Sequence, residues 1–184
     1  MALAIGMIEM SSIALGYEVE DAMLKAANVE LLVARTICSG KFIVVVGGEV
    51  ADVRSSVDAG LNVAQDSVID QLVIPNVHES VFPALSQNVE LAKDQIQALG
   101  VVEAFTVASI LEAADAAAKA AEVTLFRIHV AMAIGGKGFL QITGDVAATR
   151  AAVEAAAALV AERGVLVSQV VIPAPRPELF NEYI

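Results

Sequence analysis

Two stretches of this chain spell nearly the same message, and that repetition limits the fold more than any other feature. Ala4-Ile-Gly-Met-Ile-Glu9 returns 94 residues later as Ala98-Leu-Gly-Val-Val-Glu103, and Asp21, Lys25, Ala26 and Ala27 return at the same offset as Asp115, Lys119, Ala120 and Ala121. Farther on the offset is 96: Gly40-Lys41 maps to Gly136-Lys137, Gly48 to Gly144, Arg54 to Arg150 and Val57 to Val153. After a second two-residue insertion the offset is 98, taking Val73-Ile-Pro75 to Val171-Ile-Pro173 and Phe82 to Phe180. The chain is a duplicated domain, 1–90 followed by 91–184, with a short polar join near Ser86–Lys93. A join that brief predicts copies packed side by side.

Each copy reads alike. Apolar runs at 3–9 and 98–104 predict strands, and i, i+3, i+4 spacing of small and apolar residues predicts helices over 18–27 and 109–121. Strands follow at 31–37 and 125–130, then at 42–46 and 139–142, joined by Gly-rich turns. Longer helices are expected over 50–67 and 146–163, the second rich in Ala, and last strands over 72–74 and 165–172 ahead of Pro75 and Pro173. The order β-α-β-β-α-β, plus a short tail, is the split βαβ or ferredoxin-like arrangement: an α+β fold with two antiparallel sheets, each covered by helices.

Composition narrows the class. Hydrophobic residues make up 57% of the chain and charged ones 18%, which raises a membrane span as a first idea. The longest run without a charge, Gly164–Pro175, is far short of the ~20 residues a spanning helix needs, and no basic segment precedes the apolar N-terminus. The expectation is a cytoplasmic chain whose apolar surplus is covered in an obligate oligomer. A formal charge of −11 repels phosphate backbones and argues against nucleic acid as partner. A single cysteine, Cys38, cannot form an intrachain disulfide.

The chemistry-bearing residues are few. Gly135-Gly-Lys-Gly138 fails as a phosphate loop, because Ala131 stands where the first Gly belongs and Gly138 where magnesium needs Ser or Thr; it reads as a hairpin turn. His78 and His129 lack partners at metal-ligand spacing. Glu9 and Glu103 are duplicates ending the first strands, so they need not form a catalytic pair. Cys38 has no visible base partner for nucleophilic work, and the chain is not expected to be an enzyme.

Glu20-Asp-Ala-Met-Leu-Lys-Ala-Ala-Asn28, then Gly40-Lys-Phe and Gly48-Glu-Val, resembles the shell-protein domain of bacterial microcompartments, and the second copy repeats the pattern through Gly144-Asp-Val. Two such domains in one chain resemble the tandem shell proteins, whose trimers mimic the six-fold tile of single-domain relatives. Within that group, Thr36-Ile-Cys-Ser-Gly-Lys-Phe42 is similar to the loop of the iron-sulfur type from propanediol-utilisation compartments, with Ser39 where that type often has Pro. The resemblance implies a homotrimeric, pseudo-hexameric shell tile in which three Cys38 thiolates hold one 4Fe-4S cluster at the central pore, for electron transfer or cluster delivery. It implies pore loops at Ser39, Gly40, Gly135 and Gly136, tile edges at Lys25 and Lys119 meeting neighbouring tiles, and encapsulated redox enzymes as further partners. The alternatives are a tile with an open metabolite pore and no cluster, and a trimeric ferredoxin-like regulator binding a small molecule.

Overall fold

The computed structural model describes residues 3–91, 96–130 and 134–180. Strands β1 (Leu3–Met10), β2 (Glu30–Ile37), β3 (Lys41–Glu49) and β4 (Val68–Ile74) are joined by helices α1 (Ile13–Ala26) and α2 (Val50–Ala64), and a short α3 (Val81–Leu85) follows. The second copy supplies β5 (Ala98–Ala104), α4 (Val107–Ala120), β6 (Thr124–Val130), β7 (Gly138–Gly144), α5 (Val146–Glu162) and β8 (Leu166–Pro173). Two compact units result. The first runs to Val77, with the described tip 134–136 of the β6–β7 connection grouped with it, and the second begins at His78. Of the expected join, residues 92 and 93 lie outside the described residues.

Each unit holds one antiparallel sheet, ordered β2-β3-β1-β4 or β6-β7-β5-β8. The registers repeat across the duplication: Ile5 faces Ile74 as Leu99 faces Ile172, and Leu31 faces Val46 as Leu125 faces Ile142. In the first unit the period of two sends Ala4, Ile8, Met10, Phe42, Val44 and Val46 into one core with Val19 and Met23 of α1 and Val53 and Val57 of α2. Burying that set is the main stabilising term. In the second unit α3 lies against β6 and α4, and Phe126 and Phe180 meet with ring centroids 5.8 Å apart beside Leu91 and Leu99.

The first helix of each copy starts earlier than the periodicity predicts. Ser12 accepts a hydrogen bond from the Leu15 amide at 3.3 Å, and Thr106 accepts one from the Ser109 amide at 3.2 Å, so the caps set the starts at Ile13 and Val107. Strand β4 also begins before its apolar stretch, because its ladder to β1 reaches back to Val68.

One packing detail records how the copies diverged. Gly16 of α1 lies under the ring of Phe42, where a Cβ would stand 2.5 Å from Cδ1. The equivalent pair in the second copy is Ile110 and Gly138, with the large and small partners exchanged. The contact keeps its volume while each position changes, as a close-packed interior demands.

Candidate functional site at the hairpin loops

The β2–β3 ladder closes at Ile37 and Lys41, leaving Cys38-Ser39-Gly40 as a three-residue loop. Ser39 (φ 68°) and Gly40 (φ 72°) both take the left-handed conformation that turns the chain so tightly. Cys38 is half-buried and not disulfide-bonded. In the second copy the ladder ends at Val130 and Gly138, and the longer connection carries Gly135 (φ 69°) and Gly136 (φ 84°). The expected hairpin glycines therefore do adopt positive φ. A Cβ built on Gly136 would stand 3.9 Å from the Cys38 carbonyl oxygen and 3.9 Å from Lys41 Nζ, so the described loop tips come together inside the first unit.

Beneath each loop lies an ion pair. Lys41 Nζ donates to Glu9 Oε1 at 2.8 Å, and Lys137 Nζ donates to Glu103 Oε1 in the same way. Glu9 is wholly buried, and its Oε2 has no hydrogen-bond partner among the described residues. The pair ties the first residue after the turn to the end of β1, so the loop cannot rock without exposing or stranding a buried carboxylate. Sequence reasoning treated the glutamates alone and missed the lysines. The signal was available, because Glu9–Lys41 and Glu103–Lys137 are retained together in both copies. Near the end of β2, partial burial lowers the pKa of Arg35 below its ordinary value.

Lys25 and Lys119 close the last turns of α1 and α4, where a cation suits the helix C-terminus. Each pairs one turn back, with Asp21 at 2.6 Å and Asp115 at 2.7 Å. Asp115 also accepts the His78 amide at 2.7 Å, and the ring of His129 stacks on Phe139 at 5.0 Å. Both histidines thus have structural settings. Among the described residues, no group of three or more His, Cys, Asp or Glu could hold a metal ion. Cys38 is the one thiol per chain, so any thiolate-held cluster must be shared between chains.

The BMC domain family profile matches residues 4–77 and again 98–175. The whole chain aligns at 45% identity with bacterial microcompartment shell protein PduT of Citrobacter freundii, covering 99% of that protein. A crystal structure of a microcompartment protein from Desulfitobacterium hafniense superposes with a TM-score of 0.92 at 49% identity, over 97% of this chain and 98% of that one. A fused permuted hexameric shell protein from the RMM microcompartment shares the fold at a TM-score of 0.62 and 22% identity, over 87% and 84%.

Proposed function

The chain belongs to the BMC-domain family and is a tandem-domain structural shell protein of a bacterial microcompartment, and from that premise we propose that three copies close into a pseudo-hexameric tile whose central pore holds a 4Fe-4S cluster on three Cys38 thiolates. The observation that carries the ring is an asymmetry of burial between equivalent positions. Tyr17 on α1 is 62% exposed, whereas its counterpart Leu111 is 0% exposed. Ile13 and Leu31 are likewise exposed where Val107 and Leu125 are buried. On the last strand the difference is reversed: Val170 is 45% exposed and its counterpart Leu72 only 6%, and Ile172 is exposed where Ile74 is buried.

One frame used twice needs the same cover twice. The first copy leaves its α1–β2 face open, and the second leaves its β8 face open. A chain with one open face of each kind satisfies both by binding head to tail, and a head-to-tail contact closes into a ring when the rotation allows. Three chains supply the six domains of the tile. Large apolar side chains at such faces also account for a surplus of hydrophobic residues in a chain whose described residues include no helix long and apolar enough to cross a membrane.

The donor set suits the cluster. Thiolates are its usual ligands, and three chains offer three, leaving one iron for a small ligand. When bound, the cluster supplies one-electron transfer. The chain's own part is to present Cys38 on a tight loop whose base is held by Lys41 and Glu9, with the Ser39 hydroxyl beside the ligand able to tune it. Lys25 and Lys119 lie at the tile edges against neighbouring tiles, and the tile sits in the shell of a cytoplasmic compartment, passing electrons or a cluster to encapsulated redox enzymes. It acts as a structural protein rather than by turnover.

The test is anaerobic purification of wild type and Cys38→Ser with absorption, iron and sulfide analysis. One cluster shared by three chains gives roughly 1.3 iron per chain and broad absorption near about 400 nm, both lost in the variant. A colourless, iron-free wild type after reconstitution would remove the cluster and leave a tile with an open pore.

A further inference from the structure

Each copy carries a groove between its second helix and its edge strand. In the first, Arg54 and Asp58 of α2 face Gln71 of β4 over Val57 and Val73, around a volume of about 380 Å³. In the second, Arg150 and Glu154 of α5 face Gln169 of β8 over two matching valines, around about 210 Å³. Arginine, acid and glutamine thus recur at equivalent places, although other positions, Tyr17 and Leu111 among them, have diverged. Both strands are sheet edges, so a row of backbone groups borders each groove.

The charges do not serve their own helices. Arg54 and Asp58 stand at i, i+4, as do Arg150 and Glu154, yet neither pair is joined, whereas Asp21–Lys25 and Asp115–Lys119 at the same spacing are. Placing the cation N-terminal to the acid is also the weaker order for a helix. Nor does the ring consume the groove. Faces that the ring covers differ in burial between copies, but Arg54, Asp58 and Gln71 are exposed and so are Arg150, Glu154 and Gln169. The lining position that does differ, Leu72 against Val170, belongs to the covered β8 face. The first copy, where that position is already buried, still has the larger groove.

The pattern is complementary to itself. A two-fold axis between a cation and an acid one helical turn apart sets each against its opposite in a second copy, and a glutamine amide, both donor and acceptor, pairs with another glutamine across the same axis. We propose that this groove is a self-recognition surface through which a second copy of the chain docks antiparallel, Arg54 or Arg150 of one chain against Asp58 or Glu154 of the other. The surface pairs one ring with another, repeating several times per ring so that individually weak contacts add. It goes beyond the shell-tile reading and is independent of the cluster.

The experiment uses the full chain, cleared of sheets by centrifugation and weighed by mass photometry and light scattering. Wild type should show rings and species of twice the ring mass, the latter dissolving in about 0.5 M salt. Arg54→Glu/Arg150→Glu makes the grooves all acidic, and Asp58→Arg/Glu154→Arg makes them all basic. Each alone should give rings only, with pairing weakened by about tenfold or more. Mixing the two variants should restore the doubled mass, which also proves that both are folded. The proposal is overturned if wild type never doubles, if the unmixed variants still double, or if mixing restores nothing. Charge-dependent pairing of single chains without rings would sink the ring reading and keep this one.

Discussion

Replacing Lys41 with Met and, separately, Lys137 with Met sets the same chemical change at equivalent places in different surroundings. In the first copy the Glu9 side chain is 0% exposed and one of its oxygens already lacks a partner. Removing the ammonium leaves a buried carboxylate uncompensated, at about 3–5 kcal/mol. In the second copy both side chains reach water, Glu103 at 28% and Lys137 at 35%, so solvent screens the loss and the cost is about 0–1 kcal/mol. For a unit of this size each kcal/mol moves Tm by about 4–8 °C, so Lys41→Met should lower the first unit's transition by more than about 12 °C. Calorimetry and urea titration followed by circular dichroism would measure both, in protein dilute enough to stay below ring formation, because the proposed ring would cover the β8 face, where Glu103 lies opposite Ser168. Glu9→Met/Lys41→Met, which replaces the pair by apolar side chains of similar volume, should recover most of the loss. Equal costs at the two sites, or no recovery in the double variant, would refute the claim that burial decides the strength of this pair.

Tyr17→Glu should change the stability of the single chain by only about 1 kcal/mol, the scale of its lost contact with Phe42, yet prevent ring formation by size-exclusion light scattering; Leu111→Ala, at the buried counterpart, should cost about 2–5 kcal/mol in urea unfolding. Phe42→Gly alone should destabilise by about 3–5 kcal/mol and Gly16→Ala by about 1–3 kcal/mol, while Gly16→Ile/Phe42→Gly, which copies the Ile110–Gly138 arrangement, should regain much of the loss in the same assay.

Much of the architecture is legible in the residues themselves. The offsets of 94, 96 and 98 locate the duplication and its loop insertions, and apolar spacing identifies the eight strands and four long helices of the described residues. Those signals are local: a period of two or 3.6 depends only on which face of an element leaves water. The resemblance in the helix and loop motifs reached the family for the same reason, since it rests on contiguous segments. The ends of elements were less legible, because a cap such as Ser12 acts through one hydrogen bond that an apolar pattern does not register.

What only the tertiary structure decided is which equivalent residues stand in different circumstances. Glu9 and Glu103 share a sequence context, but one is sealed from water and the other is not. Tyr17 and Leu111 occupy one position of one helix with opposite exposure. Arg54, Asp58 and Gln71 meet at a groove although the glutamine comes from a different element. Burial and convergence are properties of distant segments brought together in space, and Coulomb energy, desolvation and hydrophobic gain all depend on that placement rather than on order along the chain.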